Sequence, residues 1–200
     1  MTAKTIIGLD LGQANDFTAI VVLKTQAAPA DPLETDLQVI HLERVRHKPY
    51  PEIVDHVTRL VQALRTQGPC DLVVDATGVG RGIVDLLRPV QPVRVNITGG
   101  QAVNLSDGFW NVPKKDLIAV TVVAFQNEKI KIANSLELGP ILAQEMMNLK
   151  AKINTNGHTE LKADWREGEH DDLALACACA VWWAGHKPPV IPVYRSRQQV

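Results

Sequence analysis

Two short apolar runs in this chain each end in an aspartate, and no other feature constrains the fold as much. Residues 5–10 end in Asp10, and residues 72–75 end in Asp75. Runs of this length, rich in Ile, Leu and Val, predict buried β-strands. If the strands are parallel neighbours, their carboxyl ends meet at one edge of a sheet. Asp171 and Asp172 precede an apolar helical segment. We therefore expect these four carboxylates to form one cluster in a cleft at that edge, suited to hard divalent cations.

The remaining patterns predict an α/β domain with a five-stranded mixed sheet flanked by helices. Three more strands are predicted, at residues 17–23, 37–45 and 93–97. Helices are predicted at residues 53–64, 113–125, 138–149 and 172–184, with a short one ending at Leu87. We also expect a polar loop at 98–111 and an extended edge segment at 158–163. The order of elements indicates three antiparallel strands followed by two parallel ones.

The composition is that of one globular domain. With 200 residues, of which 46% are apolar, the chain is long enough for a single hydrophobic core. We expect this domain to span residues 1–187, followed by a proline-rich tail at 188–200. The formal net charge of -1 gives no overall attraction to nucleic acid. Binding to phosphates would therefore need a local basic patch or bound cations.

The cysteines and the hydropathy pattern indicate the compartment. Cys70, Cys177 and Cys179 include no C-x-x-C pair, so neither a zinc site nor a disulfide framework is expected. No segment approaches the roughly 18 apolar residues that cross a membrane, and no export signal opens the chain. These features predict a cytoplasmic protein that makes no membrane contact.

Five short sequence motifs resemble those of a known family. They occur in the same order as in that family and span almost the whole chain. They are GLDLG at 8–12, DFTA at 16–19, VDATGVG at 74–80, VPKKDL at 112–117 and EHDDLALA at 169–176. With the layout of strands and helices, they make the chain similar to the ribonuclease H-like fold. The closer resemblance is to the nuclease domain of viral large terminase subunits, such as those of bacteriophages.

The resemblance implies an endonuclease that uses two metal ions, Mg²⁺ or Mn²⁺, to hydrolyse phosphodiester bonds of double-stranded DNA. Asp10 would bridge both ions, Asp75 would hold one, and Asp171 or Asp172 would complete the other. Carboxylates suit this chemistry because paired divalent ions neutralise the attacked phosphate and activate water. Little sequence specificity is expected, because contacts to the phosphate backbone carry no base information. The implied role is cutting DNA at the end of viral genome packaging.

The resemblance also implies partners. A packaging terminase works with an ATPase motor domain, a portal and a small terminase subunit in the host cell cytoplasm. The glycine turn at 78–82 lacks the lysine and hydroxyl of a P-loop, so no ATPase is expected in this chain. We expect either an excised nuclease domain or a stand-alone nuclease.

Several basic residues are candidates for DNA contact. Lys114 and Lys115 begin a predicted helix, Arg81 follows the glycine turn, and His170 precedes the late aspartates. The alternatives are a solvated face for the two lysines and pairing with Asp85 for Arg81. A second basic group comprises Arg44, Arg46, His47 and Lys48, for which the same alternatives, phosphate binding and solvated surface, stay open. Trp182 and Trp183 are expected to pack in the core rather than stack on bases.

Each aspartate also has a structural alternative when it is taken alone. Asp10 would then be a strand-end turn residue, and Asp75 would accept a hydrogen bond within its own turn. Asp171 or Asp172 would be a helix N-cap. Their joint placement favours the metal site.

Two other functional classes are consistent with parts of the sequence. The Asp-x-Gly phrase at 10–12 also opens the actin and sugar-kinase superfamily, but a single core of this length leaves no room for that superfamily's second lobe. A catalytically silent ribonuclease H-like module that binds DNA or a partner would be expected to have lost some of the acidic residues, and all are present here.

Overall fold

The five predicted strands form the middle of one mixed sheet. The computed structural model describes residues 3–12, 16–27, 35–78, 81–155 and 171–186. The five strands are β1 (Thr5–Asp10), β2 (Thr18–Ala27), β3 (Thr35–Val45), β4 (Cys70–Asp75) and β5 (Val93–Thr98). Pairing of β1 with β2 and of β2 with β3 is antiparallel, whereas β4 is parallel to β1 and β5 is parallel to β4. The predicted fold class is therefore confirmed.

Three short strands widen this sheet to eight. They are β6 (Asn104–Ser106), β7 (Phe109–Pro113) and β8 (Ile130–Ile132), and the complete order is β6-β7-β5-β4-β1-β2-β3-β8. The prediction of a loop throughout residues 98–111 is wrong, because β6 and β7 form a hairpin there. Its two-residue turn is Asp107-Gly108, and both residues have positive φ, 52° and 75°. An Asp-Gly pair favours this turn because it tolerates the left-handed conformation.

Helices cover both faces of the sheet. They are α1 (Tyr50–Arg65), α2 (Arg81–Leu86), α3 (Lys114–Gln126), α4 (Gly139–Thr155) and α5 (Asp172–Gly185). On α1, the buried residues Ile53, Val57 and Val61 form one helical stripe, which belongs to the core cluster on one face of the sheet. Residues of α3, α4 and α5 form the core cluster on the other face. The predicted helices are confirmed, although α4 continues six residues beyond its predicted end at residue 149 and the other ends shift slightly.

The apolar helix α5 lies unusually close to β1. A Cβ atom added to Gly8 would lie only 1.9 Å from the carbonyl oxygen of Ala176 and 3.1 Å from the Cβ of Ala180. Only glycine at position 8, together with small residues on α5, allows this approach. The close contact places the first turns of α5 above the sheet next to the end of β1. The contact therefore sets where the start of α5, with Asp171 and Asp172, lies relative to the end of β1 at Asp10.

Some predictions fall outside the described residues. These are the edge segment at 158–163 and the tail at 188–200, so the domain boundary at 187 stays a prediction. None of the helices in the described part of the chain combines the length and apolar character needed to cross a membrane. Trp182 and Trp183 pack as predicted, with ring centroids 6.0 and 6.3 Å from that of Trp110.

Candidate functional site

Asp10 and Asp75 lie side by side at the carboxyl ends of β1 and β4. They are directly opposed in the parallel register of the two strands, and opposed residues project to the same face of a sheet. Asp75 is only 1% exposed, and its Oδ1 accepts a hydrogen bond of 2.8 Å from the backbone N–H of Thr77. The hydrogen bond that Asp75 was expected to accept within its own turn is thus confirmed. The carboxylate of Asp75 still lies beside Asp10 while it makes this bond.

The face on which these carboxylates lie is the one covered by α5. Burial raises the pKa of the Cys179 thiol in α5 well above its ordinary value, and the charges of Asp75 and Asp10 raise it further. Such an effect requires both carboxylates to lie near that helix. The structure therefore brings together two of the predicted metal ligands beneath α5.

A third residue, Arg44, lies on the same level of the sheet. Asp10 pairs with Ala19 of β2, and Ala19 pairs in turn with Arg44 of β3. The Nη2 of Arg44 is 2.8 Å from the Oδ2 of Asp172, at the start of α5. Its guanidinium carbon also lies 4.2 Å from the centre of the Phe17 ring. Asp10, Ala19 and Arg44 thus form one row of paired residues across β1, β2 and β3, the Asp10 row. Arg44 connects this row to the first turn of α5.

The pairing of Arg44 with Asp172 changes how the basic group of Arg44, Arg46, His47 and Lys48 is interpreted. The solvated-face alternative is wrong for Arg44, because its side chain is only 14% exposed and pairs with Asp172, whereas phosphate binding by this basic group stays a prediction. Arg46, His47 and Lys48 are exposed. A sequence window contains no information on a contact between residues 128 positions apart.

Asp171 occupies the N-cap position of α5 but does not make the cap hydrogen bond with its side chain. The backbone N–H of Ala174 instead donates to Oε2 of Glu145, in α4, at 2.9 Å. The N-cap position foreseen for Asp171 is therefore confirmed, but the side chain that accepts the capping hydrogen bond belongs to another helix. Asp171 is 7% exposed, so its carboxylate is buried at the site.

Glu145 is a buried carboxyl that the sequence analysis missed. It is 4% exposed, and burial raises its pKa to about 7. The Ala174 N–H and Arg44 lower this pKa, whereas the charges of Asp172 and Asp171 raise it, so all of these groups surround it. One signal was present in the sequence, because Glu145 shares the buried stripe of α4 with Leu142, Met146 and Leu149. A charged residue on such a stripe requires buried partners.

The four predicted aspartates thus fall into two neighbouring groups. Asp10 and Asp75 form the first, and Asp171 and Asp172 form the second beside Glu145. In the ranges that the structure describes, no group of three or more His, Cys, Asp or Glu side chains is arranged to hold a metal ion. The expectation that all four aspartates share one cluster stays a prediction.

The chemistry of these groups fits a divalent metal. Their potential ligands are carboxylate oxygens, which Mg²⁺ and Mn²⁺ prefer, and no thiolate is needed. Asp75 and Asp171 are both more than nine-tenths buried. Burying charged carboxylates is costly unless a counter-charge compensates, and a bound cation would supply it.

The basic candidates lie partly at the same edge. Because β7, β5, β4 and β1 are connected by parallel pairings, Lys114 and Lys115, directly after β7, lie at the edge that carries Asp10 and Asp75. The Nζ of Lys115 donates to Oε1 of Gln101 at 2.5 Å. The side chain of Arg81 and all of His170 lie outside the described residues. Their proposed DNA contacts stay predictions.

Known proteins share this fold over most of the chain. The family model described as Terminase RNaseH-like domain matches residues 7–182. The chain is similar to the large terminase nuclease from thermophilic phage G20c, with a TM-score of 0.58, 17% sequence identity and coverage of 92% of this chain and 83% of that chain. It is similar to the human cytomegalovirus terminase nuclease domain, Mn soaked, with a TM-score of 0.53, 14% identity and coverage of 88% and 81%.

The same viral domain in a second structure gives a TM-score of 0.52 and 14% identity, with coverage of 90% of this chain and 81% of that chain. No curated protein matches the sequence. The family model spans β1 to α5 and therefore includes Asp10, Asp75, Asp171 and Asp172. The resemblance seen in the sequence is confirmed, and the chain belongs to the terminase RNaseH-like domain family.

Proposed function

We propose that this protein is a metal-dependent endonuclease that hydrolyses double-stranded DNA. The observation that carries the proposal is the side-by-side placement of Asp10 and Asp75 at the carboxyl edge of the sheet, beneath the helix that begins after Asp171. Asp10 and Asp75 come from separate strands and lie at an edge where α/β proteins bind their ligands, and the helix that covers them begins after Asp171. The family membership supports a nuclease role for this edge.

The aspartates have distinct roles in this proposal. Asp10 and Asp75 would hold two ions, and Asp171 would provide the third carboxylate. We assign that contact to Asp171 rather than Asp172, because Arg44 already pairs with Asp172 at 2.8 Å. When bound, Mg²⁺ or Mn²⁺ supplies the charge neutralisation and water activation that phosphodiester hydrolysis needs. The structure of the cytomegalovirus domain soaked in Mn supports this choice of ions.

The substrate follows from the family and from the basic edge. Lys114 and Lys115 would contact phosphates of duplex DNA, with Arg81 and His170 as further contacts. Contacts of this kind give little sequence preference. In a packaging role, the nuclease would act with an ATPase motor, a portal and a small terminase subunit in the host cytoplasm.

A catalytically silent DNA-binding module is the second candidate. It is favoured by one observation, namely that in the described part of the chain the acidic residues form two groups rather than one three-residue metal site. This candidate predicts DNA binding without cleavage under any metal condition.

Plasmid cleavage separates the two candidates. The full chain is incubated with supercoiled plasmid in Mg²⁺, in Mn²⁺ and in excess chelator. We expect nicking and linearisation only with metal, and a loss of at least about 100-fold in Asp75→Asn, because the lost charge stabilisation amounts to several kcal/mol. Asp55→Asn is the matched control, since Asp55 lies exposed on α1 in a pair with Arg59. Cleavage that persists in chelator, or a wild-type chain that binds DNA without cutting, would overturn the proposal.

A further inference from the structure

The first turn of α5 is held by residues from two other elements. Glu145 of α4 accepts the hydrogen bond from Ala174 N–H at 2.9 Å, and Arg44 of β3 pairs with Asp172 at 2.8 Å. The same Arg44 nitrogen lies 3.8 Å from Oε1 of Glu145. The three ionisable side chains, those of Arg44, Glu145 and Asp172, are at most 15% exposed. The turn that begins at Asp171 is thus attached both to the neighbouring helix and to the sheet.

Because Glu145 takes over the cap hydrogen bond of α5, the side chain of Asp171 does not make it. In an ordinary helix start, the N-cap side chain folds back onto the N–H groups of the first turn. Here Glu145 satisfies the third of those groups, at Ala174, and Asp171 makes no cap bond with its side chain. The side chain of Asp171 therefore does not make the cap bond of this turn, and Glu145 fixes the backbone that carries it.

Arg44 sets the rotation of the same turn. Consecutive helical residues point about 100° apart, so fixing Asp172 toward β3 also fixes the direction of its neighbours. Arg44 lies on the strand row that contains Asp10, two strands away through Ala19. The Phe17 ring packs against its guanidinium and limits its motion. Arg44 thereby sets the offset between α5 and the Asp10 row.

We propose that Glu145 and Arg44 are positioning residues, which hold the first turn of α5 so that Asp171 reaches the ions bound by Asp10 and Asp75. This inference rests on the proposed metal-dependent function. In this role neither residue is assigned a contact with substrate. Their effect on the ions is indirect, like that of hydrogen-bonded partners behind metal ligands in other proteins.

Four full-length chains test the role of Glu145: wild type, Glu145→Leu, Glu145→Gln and Gln144→Leu. The glutamine keeps an oxygen acceptor for Ala174 N–H, and leucine removes it. Gln144 is an exposed neighbour on α4 and serves as the control. The readouts are Mn²⁺ affinity, from the electron paramagnetic resonance signal of free Mn²⁺, and kcat and KM for plasmid cleavage.

We expect Glu145→Leu to weaken Mn²⁺ binding about 10- to 100-fold, the usual cost of losing a partner behind a metal ligand. Glu145→Gln should recover most of the affinity, and Gln144→Leu should match wild type. The loss of activity should fall on kcat rather than on KM, because DNA contacts are unchanged. A folded Glu145→Leu chain that binds Mn²⁺ like wild type would overturn the inference.

Arg44→Met provides the second test, and it decides the matter if Glu145→Leu does not fold. Methionine preserves packing against Phe17 but cannot pair with Asp172, so weaker Mn²⁺ binding is expected. Wild-type Mn²⁺ affinity in this variant would contradict the positioning role. If wild type itself neither binds Mn²⁺ nor cuts DNA, the proposed function fails. If wild type binds Mn²⁺ and cuts DNA, and the variants bind Mn²⁺ as tightly as wild type, only the positioning role fails.

Discussion

Asp10 lies directly opposite Asp75 in the parallel pairing of β1 with β4, and both side chains face α5. Neighbouring strands are about 4.8 Å apart, so the two carboxylates are close enough to repel each other. A fold selected only for stability would not place two aspartates there. Their placement is understandable if a cation neutralises them during function.

Asp10→Asn should abolish stabilisation by metal. A ligand that binds only the folded state stabilises it by about 2.7 kcal/mol when present at 100 times its Kd. We expect Mn²⁺ to raise the Tm of the wild-type chain and to leave that of Asp10→Asn nearly unchanged. Differential scanning fluorimetry with and without Mn²⁺ measures this. Asp55→Asn should behave like wild type, and an equal Mn²⁺ shift in Asp10→Asn would argue against Asp10 as a ligand.

Gly8→Ala should destabilise the protein and reduce its activity. The added Cβ would lie 1.9 Å from the Ala176 carbonyl oxygen, which is backbone, so α5 would have to move away from β1. Overpacking of this kind typically costs about 1 to 3 kcal/mol. Because the start of α5 carries Asp171, the shift would also weaken Mn²⁺ binding. Urea unfolding and Mn²⁺ titration measure the two effects.

Gly185→Ala is the matched control on the same helix. A Cβ there meets no atom within 4 Å, and alanine favours helix more than glycine does. We expect unchanged or slightly increased stability. If both alanine variants lose stability equally, close packing of α5 on β1 is not the cause.

The sequence was sufficient for the five central strands of the sheet but not for its three short strands or for the support of the site. Strands such as Thr5–Asp10 and Cys70–Asp75 are signalled by local apolar runs, and their parallel pairing follows from common connection rules. Glu145 and Arg44 depend instead on contacts between distant segments, such as the one that joins Arg44 to Asp172. A pattern in one helix shows only that a charged residue will be buried. It does not show which residue will be its partner.

Lys114→Gln and Lys115→Gln should each weaken DNA binding and reduce its salt dependence. The slope of log K against log salt falls by about 0.9 for each lost phosphate contact. Fluorescence anisotropy with a duplex in chelator, where DNA is not cut, gives both values. Lys24→Gln is the control, because Lys24 is exposed and pairs with Thr5 at the opposite end of β1. An unchanged slope in both variants would show that this edge does not contact phosphates.

Glu145 should make stability fall as the pH rises. Burial raises its pKa from 4.5 to about 7 in the folded chain. Below pH 4.5 the carboxyl is protonated in both the folded and the unfolded state, so it imposes no penalty. Between pH 4.5 and about 7 the unfolded chain loses this proton while the folded chain keeps it, which favours unfolding. Above that range both states are ionised and the penalty is constant.

Comparison with Glu145→Gln isolates this effect, because glutamine does not titrate and other groups change little between the two chains. We expect the difference in free energy of unfolding, wild type minus variant, to fall by on the order of 3 kcal/mol from pH 4.5 to above 7. Urea denaturation in chelator across this range measures it without interference from bound metal. A difference that is flat, or that grows with pH, would mean that Glu145 is ionised in the folded chain and that Arg44 outweighs the cost of burial.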